Sequence, residues 1–120
     1  MSESLNVGII NESNVAVVMF NTASLNNSEE ILAISRQIKK FIDDNRPIGV
    51  VFDFEGVRFF SSQVLGALLD IRAEIKMYDG EVAISAIEPK LHRVFRITNL
   101  DKIFGFFPDR ASAVKSVSKI

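Results

Sequence analysis

Two adjacent serines, Ser61 and Ser62, stand where a run of strand-forming residues gives way to a helical pattern. The first turn of a helix leaves amide donors without intrahelical partners and lies at the positive end of the helix dipole. A serine hydroxyl at that position can accept a hydrogen bond as a helix cap, or it can carry a phosphate whose charge suits the same amides. The spacing therefore predicts either a capped helix or a phosphorylation site.

The residues on both sides of the serines predict the elements that hold them. Residues 48–54 form a short β-branched and aromatic run, which is typical of a strand covered on both faces. After the serines, apolar residues recur with helical spacing. They are Val64, Leu65, Leu68, Leu69, Ile71 and Ile75. A strand-to-helix turn is therefore expected to present both hydroxyl groups.

The N-terminal third predicts a hairpin followed by a helix. Residues 5–10 and 15–20 favour two strands, because turn-forming residues separate them at 11–14. The following helix is expected to run to Asp44, before Pro47. Three residues can cap its start: Asn26, Asn27 and Ser28.

The C-terminal half continues the alternation of strands and helices. A break at residues 78–80 precedes a predicted strand over 81–86, and a helix is expected from Pro89. A short strand over 103–107 and a final helix complete the chain. The order predicts one α/β domain over residues 1–120, with a mixed, mostly parallel sheet of about five strands and about four helices.

Composition restricts the classes of protein. A chain of 120 residues can enclose one core, and fourteen basic against fifteen acidic residues give no basic field for direct nucleic-acid binding. The absence of cysteine excludes disulfides and thiolate metal sites. The start lacks signal-peptide features, and the longest apolar run, over 15–20, is far below the ~20 residues of a membrane span. A cytoplasmic protein without membrane insertion is expected.

Catalytic chemistry has little support. The single histidine, His92, lies on a predicted helix whose inward positions are Leu91, Val94 and Phe95, so we interpret it as a solvated or peripheral side chain. No Gly-x-Ser-x-Gly elbow, phosphate-binding glycine loop or metal-ligand spacing is present, so we expect no catalytic residue, metal or cofactor. The acidic pair Asp43 and Asp44 is interpreted as a solvated helix end.

A phospho-receiver domain is a second alternative, because Asp53 ends a predicted strand as the phosphorylated carboxylate of a receiver does. Receivers also need an acidic pair after the first strand, where this chain offers only Glu12. They need a lysine after the fifth strand, and residues 106–108 offer none. Asp53 is therefore expected to cap or pair locally.

Residues 54–69 resemble the signature of the STAS domain of bacterial anti-sigma factor antagonists. In that family a strand leads into an Asp-Ser-Ser-Gly-Leu-Gly motif that opens a helix. Aligned on Leu65 and Gly66, Ser62 falls on the family's phosphorylated serine. Three positions differ from the motif: Ser61 replaces Asp, Gln63 replaces the second serine and Val64 replaces the first glycine.

Two further segments carry the resemblance. Asn26 follows residues 22–25 at the place where the family has an acidic residue before its first helix. Residues 88–104 are similar to the family's penultimate helix, its stop and its last strand. The resemblance covers nearly the whole chain and implies a STAS-like fold.

The resemblance also implies a function. The unphosphorylated protein would bind an anti-sigma factor that is a serine kinase, and the sigma factor would be released. Phosphorylation of Ser62, or of Ser61 if the register is shifted by one, would break the contact, and a metal-dependent serine phosphatase would restore it. The expected contact residues are Asn26, Phe60, Ser61, Ser62 and Gln63.

Two alternatives stay open at this point. Phe60 can be a core residue instead of a contact, because Phe59 and Phe60 face opposite ways in a strand. The whole protein can be a STAS interaction module that is never phosphorylated and acts as a scaffold or as a subunit of a sensory or transport assembly. Phosphate occupancy separates this alternative from the first.

Overall fold

The computed structural model describes residues 6–118, which form seven strands, four α-helices and one 3-10 turn. In chain order the elements are β1 Val7–Glu12, β2 Val15–Phe20, β3 Ser24–Leu25, α1 Ser28–Asn45, β4 Gly49–Asp53, β5 Phe59–Phe60, α2 Ser62–Lys76, β6 Glu81–Ser85, α3 Pro89–Ile97, the 3-10 turn Leu100–Lys102, β7 Gly105–Phe107 and α4 Arg110–Ser118.

Five strands form the main sheet in the order β1-β2-β4-β6-β7. β1 pairs with β2 in antiparallel fashion, and every other pair in this sheet is parallel. The mixed, mostly parallel sheet and the four helices predicted from the sequence are confirmed. Helices α1, α2 and α3 pack on one face of the sheet and α4 packs on the other, so both faces are buried.

The first strand was predicted too early in the chain. It begins at Val7 and runs to Glu12, two residues past the predicted end at Ile10. The turn contains only Ser13 and Asn14, whose φ angles of 56° and 63° suit the tight turn that matches the twist of a two-residue hairpin. Asn11 and Glu12 therefore continue the ladder although both are turn-forming or polar residues.

The sheet separates two apolar clusters. Helix α1 contributes Ile31, Ile34, Ile38 and Ile42 to the larger cluster, which also holds most of the aromatic rings of the molecule. Helix α4 covers the smaller cluster on the opposite face. In β2 the side chains alternate between the two, since Ala16 and Val18 join the first and Val15 and Val17 join the second.

A second, two-stranded sheet had no counterpart in the sequence prediction. β3 and β5 pair in parallel, with Ser24 opposite Phe59 and Leu25 opposite Phe60. Each strand has only two residues, too few to show a period of two along the sequence. This small sheet determines where the two helices that follow it begin.

Candidate functional site

The β3–β5 pair brings the starts of α1 and α2 side by side. The amide of Ser61 donates to the carbonyl oxygen of Leu25 at 2.9 Å, which carries the pairing beyond the two strands. The side-chain amide of Gln63 donates to the carbonyl oxygen of Ser28 at 3.4 Å, so the first turns of the two helices are in contact. Asn26 directly follows β3 in the chain, between that strand and the Asn27 cap of α1.

The residues predicted from the sequence as contacts are thus mostly neighbours in space. Asn26 and Ser62 are exposed, and Ser61 and Gln63 are half-buried. We call these four residues, together with the exposed Phe59, the junction surface. Its charge is low, because none of the five carries a formal charge at neutral pH.

Helix α1 has a complete cap. Asn27 is its N-cap residue, and its side-chain oxygen accepts from the amide of Glu30 at 2.9 Å. Two carboxylates, Glu29 and Glu30, lie in the first turn, where they interact favourably with the helix dipole. Of the three candidate caps, Asn27 is the one that performs the role.

Helix α2 has no such cap. Ser61 occupies its N-cap position but makes no side-chain capping bond, which corrects the prediction of a serine-capped helix. Its hydroxyl oxygen is buried and, within residues 6–118, has no hydrogen-bond partner. No acidic residue lies in the first turn of α2. The first turn of α2 therefore supplies no carboxylate of its own to the positive end of the helix dipole.

Ser62 is the first residue of α2, and it is exposed. Its hydroxyl group is accessible to another molecule at the helix end that lacks a cap. A phosphate on this oxygen would lie near amides and a dipole that favour negative charge. The chemistry available here is modification of a hydroxyl group, with no acid or base beside it in the junction surface.

The two phenylalanines that precede the serines face in opposite directions. Phe59 is 51% exposed, whereas Phe60 is 7% exposed. The Phe60 ring packs edge-on against Phe54 and Phe95, with ring centroids 5.9 and 6.0 Å apart. Phe60 is therefore a core residue, and its inclusion among surface contacts is corrected. The exposed ring, which the sequence did not single out, is Phe59.

The far ends of α1 and α2 are joined by polar contacts. Lys39 forms an ion pair with Asp70. Burial raises the pKa of Glu74, and a hydrogen bond to Asp43 and the charge of Asp43 raise this pKa further. These contacts connect the two helices at a distance of two to three turns from the junction surface.

The other residues considered for chemistry have structural partners. Asp53 is 3% exposed and accepts from the Ser85 hydroxyl, the Arg110 guanidinium and the Glu55 amide, each at 3.2 Å. Asp53 thus pairs locally with Glu55, as expected, and also with Ser85 and Arg110, which are distant in sequence. The ring of His92 stacks on Phe106 at 4.0 Å.

Residues 6–118 contain neither a metal-binding cluster nor a membrane-spanning helix. No three His, Asp or Glu side chains in this part of the chain are arranged to hold a metal ion. Within the same residues, no helix combines the length and the apolar character that crossing a membrane requires.

A comparison with protein families matches residues 11–113 to the STAS domain. The chain belongs to the STAS domain family. Its fold is also similar to that of solved STAS proteins, which have identities below 25% and so support the fold alone.

Three solved structures illustrate this similarity. A STAS anti-sigma-factor antagonist protein from Planctomyces limnophilus has a TM-score of 0.82 and 23% identity, with 92% of this chain and 96% of that chain covered. An anti-sigma factor antagonist from Mycobacterium paratuberculosis has a TM-score of 0.81 and 21% identity, with 98% and 100% covered. The phosphorylated form of SpoIIAA, a Bacillus cell fate determinant, has a TM-score of 0.72 and 18% identity, with 92% and 98% covered.

Proposed function

We propose that this STAS protein is an anti-sigma factor antagonist, which in its unphosphorylated form binds an anti-sigma factor with serine kinase activity. Binding releases the sigma factor, and phosphorylation of Ser62 ends the interaction. The observation that carries the proposal is the exposed Ser62 at an uncapped helix start, next to Asn26 and Phe59. A metal-dependent serine phosphatase would return the protein to its binding form.

The junction surface supports a switch that acts locally. A phosphate adds up to two negative charges and three acceptor oxygens to a surface that is uncharged and partly apolar. A partner that packs on Phe59 and on the unmodified hydroxyl would have to desolvate this charge. The helix itself is not expected to unfold, because negative charge is favourable at its first turn.

The expected loss of kinase affinity follows from the cost of desolvating the phosphate. Burying an uncompensated charge costs several kcal/mol, and every 1.4 kcal/mol changes affinity about tenfold. We therefore expect phosphorylation to lower the affinity for the kinase by about 100-fold or more. Such a role belongs in the cytoplasm, where bacterial transcription takes place, and it requires no catalytic residue in this chain.

The direct test is site-resolved phosphopeptide mass spectrometry on the protein from growing and stressed cells of its own host. Phosphate on Ser62 that changes with growth condition is the expected result. Phosphate on Ser61 alone would shift the modified position by one residue. No phosphate under any condition would favour the second function, a STAS module with constitutive contacts in a sensory or transport assembly.

Binding measurements test the switch itself. Affinities for the purified anti-sigma serine kinases of the host are compared for the unmodified protein, Ser62→Ala and Ser62→Asp. We expect Ser62→Ala to bind and Ser62→Asp to be strongly weakened. Ser116→Asp, which adds the same charge at an exposed serine of α4, is the matched control. Equal affinities for Ser62→Ala and Ser62→Asp would contradict the proposal.

A further inference from the structure

β1 lies at one end of the main sheet, and among residues 6–118 no strand pairs with its outer edge. The strand has six residues, Val-Gly-Ile-Ile-Asn-Glu, without a lysine, arginine or proline. A lysine, an arginine or a proline in the edge strand, or a very short edge strand, normally protects an exposed edge from pairing with another chain. The opposite edge is protected in this way, because β7 has only three residues and Pro108 follows it.

The hairpin determines which backbone groups of β1 face outward. The carbonyl oxygen of Asn6 accepts from the amide of Asn21 at 2.8 Å, and Glu12 lies opposite Val15 across the two-residue turn. Residues opposite each other in an antiparallel pair alternate between bonded and non-bonded pairs. The even-numbered residues of β1 therefore bond to β2. The amides and carbonyl groups of Val7, Ile9 and Asn11 point away from the sheet.

We propose that a second copy of this chain pairs its β1 with this edge, antiparallel, about a two-fold axis at Ile9. In that register Ile9 lies opposite Ile9 of the second copy, and Val7 lies opposite Asn11. All three pairs join outward-facing groups, so about six backbone hydrogen bonds form across the interface. The two five-stranded sheets become one continuous sheet of ten strands.

The side chains agree with the same register. Ile10, which is 41% exposed, lies opposite Gly8 of the second copy. Among residues 6–118, a Cβ atom at Gly8 would meet the Met19 methyl group at 3.6 Å and the Asn21 side-chain nitrogen at 3.8 Å, so this part of the chain leaves room beside the glycine for an isoleucine. On the other face, Ile9 and Phe41 line an open groove of about 340 Å³ between β1 and α1, which the second copy can cover.

Charge does not oppose this arrangement. Glu12, the only charged residue of β1, lies opposite Asn6 of the second copy and not opposite another carboxylate. The charged residues that line the groove, Lys40 and Asp44, form an ion pair at 2.8 Å with each other, so this pair brings no net charge. A self-complementary edge of this kind fits a second copy better than an unrelated strand, whose register would have no such match.

Sedimentation velocity and light scattering on the full chain over a wide concentration range test the proposal. We expect a dimer that dissociates on dilution. Ile9→Pro removes one outward amide on each chain without removing a β1–β2 bond, and we expect dimer affinity to fall at least tenfold. Ile10→Lys adds an edge lysine and should weaken the dimer as well, so the test does not depend on the proline variant folding.

The controls separate this interface from other surfaces. Ile97→Lys changes an isoleucine that is 73% exposed at the end of α3 and should leave the dimer unchanged. Ser62→Asp should also leave it unchanged, which makes the result independent of the proposed kinase switch. Amide exchange of Val7, Ile9 and Asn11 should slow as concentration rises. A monomer at every concentration, or a dimer unaffected by both edge variants, would overturn the proposal.

Discussion

The β3–α1 and β5–α2 junctions have the same arrangement of a short strand followed by a helix, but their helix starts differ. In each, a two-residue strand exposes its first side chain and buries its second, as Ser24 and Leu25 do before α1 and Phe59 and Phe60 do before α2. The α1 junction is polar outside and its helix is capped by Asn27. The α2 junction exposes an aromatic ring, and its cap residue makes no capping bond.

The two junctions differ in how each helix start is satisfied. At α1, a cap and two first-turn carboxylates satisfy the helix end from within the chain. At α2, the N-cap residue makes no capping bond and the first turn has no carboxylate, while the ring of Phe59 and Ser62 are exposed. A helix end that its own chain leaves unsatisfied is suited to a partner or to a phosphate. Under the proposed function, the first junction contributes stability and the second contributes a contact surface.

The largest expected contrast lies within the α2 junction. Phe60→Ala removes a ring that packs on Phe54 and Phe95, so we expect a loss of about 3 kcal/mol or more of unfolding free energy. Phe59→Ala removes an exposed ring and should change stability by less than about 0.5 kcal/mol. Chemical denaturation of both variants measures this contrast. Similar losses for the two would mean that Phe59 is a packing residue and not part of a surface.

These junctions also show what the sequence could predict. The stripe of isoleucines in α1 recurs at helical spacing, so its buried face and its place in the fold were predictable. The β3–β5 pair was not, because two-residue strands have no period and their pairing depends on contacts between distant segments. Without that pair, nothing in the sequence decides which of Phe59 and Phe60 is buried.

The N-cap position of α2 shows a second limit of prediction from the sequence. Serine at a helix start predicts a capping bond from residue type alone, and the type is right at Ser61. Whether the bond forms depends on the orientation of the hydroxyl group, which the backbone and the neighbouring side chains determine. The helix start was therefore predictable to within one residue, since either Ser61 or Ser62 could have been the N-cap, whereas the missing capping bond was visible only in three dimensions.

A smaller difference in unfolding free energy is expected between variants at the two N-cap positions, Asn27 and Ser61. Asn27→Ala removes a capping bond and should cost about 1 kcal/mol of unfolding free energy. Ser61→Ala removes a buried oxygen that has no partner among the described residues, so it should be close to neutral. Thermal and chemical denaturation of both variants provide the measurement. A loss near 1 kcal/mol for Ser61→Ala would show that Ser61 caps α2 in solution and would remove the difference between the junctions.

The smallest effect concerns the far end of the same two helices, where Glu74 meets Asp43. Burial and the neighbouring carboxylate raise the pKa of Glu74 above 4.5, so the folded protein holds this proton more tightly than the unfolded chain. The resulting stability is present below the unfolded pKa and is lost as pH rises through the higher folded value. We expect Glu74→Gln to remove this pH dependence and to raise stability at neutral pH by less than about 1 kcal/mol.

Denaturation of Glu74→Gln and of the unmodified protein at a series of pH values from acidic to neutral measures the effect. Ser62 lies three turns away at the other end of α2, so kinase affinity should be the same for both proteins. If Glu74→Gln changed kinase affinity as well, the two ends of the helix pair would be coupled. Kinase binding at the start of α2 would then depend on the contacts between α1 and α2 as well as on the missing cap of α2.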